Sequence, residues 1–498
     1  SVTFSKNLEY IGSYAFDGCQ SLDNVILPDS VTTILGCAFY SCSSLKNIVL
    51  PNNLKTIDYH MFHGCSLLQE INIPDSVTSL SWNVFDGCSN LKRLVLPENL
   101  TSIGSEVFKE CVNLEYVYIP KNVTTLNMSS FVGCKSLKMI EIDPENTTFT
   151  SYFDNEELLC IINNSTNELV VAFGSIENIS EEITTIGAYA FQFYKLNTVS
   201  IPSTVTTINS GAFSGNIYLE EIIIPSSTTT IRSSAFLNCT NLRKVYIHNL
   251  QSYCNINFTE TSACPLSYGA QLIIKGETED SLVAELVVDD SLQNINNYAF
   301  YYYQHLVSLT ITNSSATIGT SAFYGANKLV YIKNTTGSSV TVPSNANQII
   351  TTDASYVSPI SYVEDYIIYD YKSADGLSDI KYLMGTTNLN LQDVVVPQGV
   401  TQIYTRAFYN NQKIKTINLG DTVEIINDYA FYGASIKELT IPRNVNKIKY
   451  YAFYGCKNLN DLILENNPNL EIDNYSFSTS SNILYLKNLT GKSFDSYK

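Results

Sequence analysis

The chain has 498 residues, 45% of them apolar and 15% charged, which supplies a large core and a length that by itself suggests about three domains. Its 29 Lys+Arg against 47 Asp+Glu give a formal net charge of -18; such a chain repels phosphate backbones, no basic cluster stands out, and nucleic acid is not an expected partner. It has no run of about 18 apolar residues of the kind that crosses a bilayer, so membrane insertion is not expected.

Ser1 opens the chain with a repeat already under way at Leu8 and Ile11. The sequence therefore reads as cut from a longer product; a removed signal peptide fits, and a secreted or cell-surface location is expected. Sequons such as Asn122-Val123-Thr124 are mostly what chance gives in a chain rich in Asn, Ser and Thr.

From residue 1 to 140, Phe16, Phe39, Phe62, Phe85, Phe108 and Phe131 follow one another at intervals of 23, a period that marks a solenoid. Around Phe39 the unit reads Val31-x-x-Ile34-x-x-x-Ala38-Phe39-x-x-Cys42-x-x-Leu45-x-x-Ile48-x-Leu50-Pro51. The alternation Ile48-x-Leu50 predicts a strand with one face in the core, and Pro51, which lacks an N–H, ends it. Val31-x-x-Ile34 predicts a second extended stretch, and Ala38-Phe39 a tight corner of about one helical turn. One coil cannot bury its own apolar residues; stacked coils cover one another.

Residues 141–182 are expected to form a β-hairpin insert, with Leu158 to Ile162 and Leu169 to Phe173 as strands around Asn163-Asn164-Ser165-Thr166. Coils resume over 183–248 at Phe191, Phe213 and Phe236; 249–291 is a linker insert; 292–333 holds two coils at Phe300 and Phe323. A second hairpin insert, 334–396, contains Tyr366-Ile367-Ile368-Tyr369 and Ile380-Lys381-Tyr382-Leu383-Met384, and 397–498 carries four coils, at Phe408, Phe431, Phe453 and Phe477, and the C-terminal end. All of this is expected to form one continuous solenoid.

The unit L-x-x-I-x-x-x-A-F-x-G-C-x-x-L-x-x-I-x-I-P resembles the BspA-type leucine-rich repeat over nearly the whole chain. The insert led by Asp143-Pro144-Glu145-Asn146, and the linker Tyr253-Cys254-Asn255-Ile256-Asn257-Phe258 with Cys264-Pro265-Leu266-Ser267-Tyr268, are similar to segments of that family, with Tyr253 where Trp is more usual. The implied fold class is α/β: a right-handed leucine-rich-repeat solenoid, mostly β with short helical or 3-10 corners, interrupted by β-hairpin inserts. The resemblance also implies a non-enzymatic adhesion and protein-binding scaffold that engages host matrix or neighbouring cells.

Little in the chain points to chemistry. Cys19, Cys42, Cys65, Cys88, Cys111 and Cys134 recur at one repeat position, where stacked Cβ vectors run parallel instead of converging as a disulfide requires; they are expected to be buried thiols in a small apolar slot. Cys254 and Cys264 lie off this ladder, and a bond between them is left open. His60 and His63 beside Cys65 have metal-like spacing but flank a corner as variable positions. The carboxylate pairs Glu156-Glu157, Glu181-Glu182 and Asp289-Asp290 fall on or near loops of the inserts. No nucleophile elbow, phosphate loop or calcium loop is present, and no metal, cofactor or catalytic residue is expected.

The free choice of side chain lies at the outward strand positions: Asn24/Ile26, Asn47/Val49, Glu70/Asn72, Arg93/Val95, Tyr116/Tyr118 and Met139/Glu141, and later Lys244/Tyr246, Ser308/Thr310 and Tyr331/Lys333. Tyr and Arg anchor interfaces, which selects Arg93, Val95, Tyr116, Tyr118, Met139, Lys244, Tyr246 and Tyr331 as partner-binding candidates. Tyr and β-branched residues also favour strands, and both readings stand at this point. The expected partner is a protein, from the extracellular matrix or a cell surface, bound by a monomer. A carbohydrate-binding surface protein, or a spacer for a domain elsewhere, are the rival readings.

Overall fold

The computed structural model describes residues 2–154, 157–174, 182–195, 197–337, 339–345, 348–372, 379–388, 390–480 and 483–491. The chain divides into two compact units, Ser1–Leu242 with Ile256–Pro265, and Arg243–Asn255 with Leu266–Lys498. Glu156, Glu181 and the stretch 373–378 lie outside the described residues.

Each coil is built as the sequence pattern dictates. Strands such as Asn24–Ile26 and Asn47–Val49 pair in parallel, with Asn24 opposite Asn47 and Ile26 opposite Val49, and alternate exposed, buried, exposed. Val31-x-x-Ile34 gives the short strand Thr33–Ile34, its isoleucine buried. The corner follows, and it is not helical. It is a pair of tight turns with left-handed residues two before and two after the phenylalanine: Tyr14 and Gly18 around Phe16, Cys37 and Ser41 around Phe39, Tyr451 and Gly455 around Phe453. A left-handed residue reverses the chain faster than a helical turn, and the glycine two places after Phe serves that backbone at no steric cost. The coil of Phe131 does take a 3-10 turn, Met128–Phe131.

Corners are stitched to their neighbours by backbone bonds: Phe16 N donates to Ala38 O at 2.8 Å and Ser41 N to His63 O at 2.7 Å. The rings stack accordingly, with centroids 5.1 Å apart for Phe16 and Phe39, 5.5 Å for Phe62 and Phe85, and 5.1 Å for Phe431 and Phe453.

All twelve cysteines are thiols, and all but Cys19 are buried, Cys254 and Cys264 included. The repeating slot is not purely apolar. Cys42 Sγ donates to the carbonyl of Phe16 at 3.0 Å, Cys88 to Phe62 at 3.2 Å and Cys134 to Phe108 at 3.0 Å. Elsewhere Asn216 Nδ2 and Ser480 Oγ make the same bond, to Phe191 and Phe453. In these coils position three after Phe thus holds a small donor for the phenylalanine carbonyl of the preceding coil, a place that Ala326 and Ala434 fill without one, and burial pushes the Cys134 thiol up to about 12.

In the first unit, strands Phe149–Asp154, Glu157–Asn163 and Glu168–Ala172 are antiparallel, one strand more than the expected hairpin. The last joins the short-strand ladder, with Leu169 opposite Ile186 in Thr185–Ile186, followed by Thr207–Ile208, Thr230–Ile231 and Asn257–Phe258.

In the second unit, Glu285–Val288, Ser308–Ile311, Tyr331–Asn334 and Ile349–Thr351 form one parallel sheet. The insert strands Ile360–Val363, Tyr366–Lys372 and Asp379–Thr386 are antiparallel, and Leu383 passes the ladder on to Ile403. This insert is buried on two sides. Tyr366, Ile368 and Leu383 join the core of the C-terminal coils, whereas Ile367, Tyr369, Tyr382 and Met384 pack with Val307, Val330 and Tyr331.

Candidate binding surface

Among the described residues of the first unit, the outward strand positions form one face of parallel rungs. Arg93 lies opposite Tyr116 and Tyr116 opposite Met139; one residue pair further on, Val95 lies opposite Tyr118 and Tyr118 opposite Glu141. Five of the eight candidate residues are therefore neighbours.

Cross-strand contacts lock the two tyrosines. The Arg93 guanidinium sits over the Tyr116 ring, 3.8 Å from its centroid, and the Tyr116 hydroxyl donates to Glu141 Oε2 at 2.5 Å. Tyr118 donates to Asp143 Oδ2 at 2.6 Å and lies 3.4 Å from Glu98 Oε1. Burial, then the Glu141 carboxylate, raise the Tyr116 hydroxyl; burial and the Asp143 bond raise that of Tyr118. Reciprocally, the Tyr118 hydroxyl and the Glu145 N–H hold Asp143 low. Both phenols are thus held as donors, and Asp143 as the acceptor of Tyr118.

Beside them the face is apolar and wet. Ile26 is 73% exposed, Val49 54% and Val95 52%. Glu98, Glu141, Asp143 and Glu145 form an acidic rim, with Lys121 paired to Glu145 at 2.7 Å. Sequence reasoning did not select Glu98 or Asp143; Asp143 opens the insert, and only the register shows that it returns beneath Tyr118.

The remaining candidates divide. In the second unit Lys244 Nζ lies 3.3 Å from the Tyr246 hydroxyl and 5.8 Å from the ring centroid, with Lys275 Nζ at 5.6 Å, a small basic and aromatic cluster. Tyr331 is not a surface residue. It is 2% exposed, because Tyr356 covers it at 6.2 Å between centroids and the insert strands pack on it. Ser308, in the same outward column, is buried with it.

His60 and His63 belong to an aromatic rim at the corners. His63 stacks on Tyr40 at 4.6 Å, Trp82 stacks on Tyr59 at 5.2 Å, and His60 meets the Trp82 edge at 4.5 Å. Burial first, then His63, lower the His60 imidazole. Among the described residues no group of three or more His, Cys, Asp or Glu side chains is placed to hold a metal ion, and no helix is long and apolar enough to cross a membrane.

No curated protein matches the chain. Solved structures similar to it include a leucine rich repeat protein of T. pallidum, 37% identical over 27% of this chain and 63% of that one, so that this chain spans less than two thirds of it, with a TM-score of 0.27. A leucine-rich repeat protein of Bacteroides ovatus is 21% identical over 95% of this chain and 81% of that one, with a TM-score of 0.28. A leucine rich cell surface protein of Faecalibacterium prausnitzii is 17% identical over 98% and 85%, with a TM-score of 0.25. The model of the BspA type leucine rich repeat region matches residues 1–111, 67–171, 171–270, 279–370 and 386–495. With the repeat matched over most of its length, and its strands, corners and ring ladder in place, the chain belongs to the BspA-type leucine-rich-repeat family.

Proposed function

We propose that the open strand face of the first unit docks a protein ligand of the extracellular matrix or a cell surface, and that the chain works there, secreted or surface-bound, as a non-enzymatic scaffold. The observation that carries this reading is the Arg93–Tyr116–Glu141 rung series beside exposed Val95, Val49 and Ile26. Side chains already held in one geometry lose little freedom on binding, and Tyr and Arg are the residue types that most often dominate interface energy.

Size limits the mode of binding. Six rungs about 4.8 Å apart and three residues deep give a face of roughly 24 by 10 Å, well below the roughly 800 Å² per partner of a standard interface. The partner must therefore also contact the acidic rim, which favours a ligand whose apolar centre is flanked by Lys or Arg. One copy of the chain carries the whole face, so a monomer suffices.

The test is surface plasmon resonance of the full chain against a panel of matrix and cell-surface proteins. A saturable hit that weakens about 10-fold or more in Tyr116→Ala and Tyr118→Ala, the scale of a lost interface anchor, supports the reading. Hits indifferent to both variants, or no hit at all, overturn it.

A further inference from the structure

The second unit carries a half-open cleft of about 470 Å³ at the corner edge of its last coils, and its lining divides by chemistry. Tyr432 and Tyr454 continue a ring ladder that begins at Tyr409, with centroids 4.9 and 5.1 Å apart and planes within 10°. The ladder then stops. In the next coil Gly455 N donates to Ser478 O at 3.0 Å, and Ser478 carries no ring, so among the described residues the ladder has no further aromatic rung beyond Tyr454.

Neutral polar side chains line the cleft as a chain: Asn458 Nδ2 donates to Ser435 Oγ at 3.3 Å, and Ser435 Oγ to Gln412 Oε1 at 2.8 Å. Gln412 Nε2 in turn donates to Gly433 O at 2.5 Å. These bonds orient both amides and leave each a second N–H, and Asn458 its carbonyl oxygen. Gly433 and Gly455, at φ +65° and +71°, line the cleft without side chains; a Cβ on Gly433 would lie 2.3 Å from Asn410 Oδ1.

Arg243 and Lys457 complete the cleft, which in a chain of net charge -18 is lined by two cations and no carboxylate. Arg243 Nη1 donates to Asn410 O at 3.2 Å, which holds the guanidinium at the cleft wall.

We propose that this cleft binds an acidic saccharide, a short oligosaccharide bearing uronate carboxylates. The part-exposed Tyr454 ring at the cleft wall suits the C–H face of a pyranose, oriented amides and a hydroxyl suit its hydroxyl groups, and the two cations suit its carboxylate. The volume falls within the roughly 300–1,000 Å³ of small-molecule sites and takes one or two sugar rings. This site shares no residue with the strand face of the first unit, so either reading can fail alone.

The experiment is isothermal titration of the full chain with galacturonate and glucuronate tetrasaccharides, each beside its carboxyl-reduced neutral counterpart. Saturable binding is expected, weaker by about 10-fold without the carboxylates, by about 10-fold in Tyr454→Ala, and several-fold in Lys457→Gln and Asn458→Ala. Asn458 and Lys457 are exposed, so their variants keep the test valid if Tyr454→Ala unfolds the coil. Absence of saturable binding, equal affinity for the neutral sugars, or affinity unchanged in Lys457→Gln and Asn458→Ala overturns the proposal.

Discussion

Tyr116 and Tyr331 occupy the same repeat position, the second x of L-x-x-I, on strands of the same kind, yet Tyr116 lies on an open face and Tyr331 lies under an insert. The difference is written one residue earlier. On the open face of the first unit that neighbour is Asp23, Lys46, Gln69, Lys92, Glu115 or Lys138, all exposed; under the insert it is Ala284, Val307 or Val330, all buried. Repeat position decides which way a side chain points. Whether water is there depends on what packs next, and the first x of L-x-x-I reports it, because a charge is tolerated at that column only where solvent reaches it.

The largest effects should therefore come from exchanging the two columns. Val330→Lys places an ammonium in a fully buried slot and is expected to destabilise by about 3 kcal/mol or more; Tyr331→Ala leaves a cavity worth about 3 kcal/mol. The reciprocal change on the open face, Lys92→Val, should stay within about 0.5 kcal/mol. Urea unfolding of the three variants measures this, and a cost for Lys92→Val equal to that for Val330→Lys would erase the distinction between the faces.

Cover also changes the titration of the second unit. Lys328 is 2% exposed, its Nζ donating to Met384 O at 3.0 Å and Ala407 O at 3.1 Å, whereas Asn113, at the equivalent place in the coil of Phe108, is exposed. Burial first, and Arg406 second, lower the Lys328 amine from 10.5 to about 7. A folded value below the unfolded one means that the unfolded chain holds this proton between those limits, so the contribution of Lys328 to stability rises with pH from about 7 to about 10.5 and is lowest below 7, whereas the buried thiols, with raised values, act in the opposite sense above about 9. The difference in stability between Lys328→Met and wild type should shrink by on the order of a few kcal/mol over that range, since the variant lacks this contribution. Unfolding of wild type and variant at pH 7 and pH 9.5 decides it; equal slopes in both would show that Lys328 is not the group responsible.

The repeat itself was legible because its signals are local: Phe every 23 residues, Ile-x-Leu before Pro, and a cysteine column that a disulfide does not fit. Of the second insert only the pairing of the strands at Tyr366 to Tyr369 and Ile380 to Met384 was legible, since these are strands by composition; the third strand Ile360–Val363, and Ile349–Thr351 in the parallel sheet of the coils, were not. The corners were misjudged as helical because Tyr14, Cys37, His60 and Tyr451 adopt left-handed backbone, which none of these residue types announces; the glycines two after Phe were the available sign. The fate of Tyr331 lay in a longer-range signal. Tyr366-Ile367-Ile368-Tyr369 is apolar at four consecutive positions, as a strand buried on both sides is, and something in the chain had to supply the second face. The aromatic cleft is not legible in the sequence because Tyr432 and Tyr454 meet Gln412, Ser435 and Asn458 only when coils stack.

Smaller effects test the cysteine column. Cys88→Ala keeps a residue type that Ala326 and Ala434 already place at this position and removes the thiol donor to Phe62; the Phe62 carbonyl still accepts from Cys65 N at 3.1 Å. The expected cost is about 1 kcal/mol, less for Cys88→Ser, which restores a donor as Ser480 does. A thiol reagent should modify Cys19 quickly in the native protein and all twelve cysteines after denaturation without reductant; fewer in the denatured state would reveal a disulfide.

The smallest change sharpens the opening comparison most. Tyr116→Phe keeps the ring under Arg93 and removes only the hydroxyl donor to Glu141, a bond at the surface that contributes little to folding, so unfolding should move by less than about 0.5 kcal/mol. If the rung series exists to hold a binding geometry, partner affinity should fall several-fold all the same, because the ring regains freedom that must be lost on docking. If Tyr116 is there only as a good strand former, Tyr116→Phe will leave both stability and partner affinity unchanged, and this rung of the open face will be no more a recognition element than the covered one.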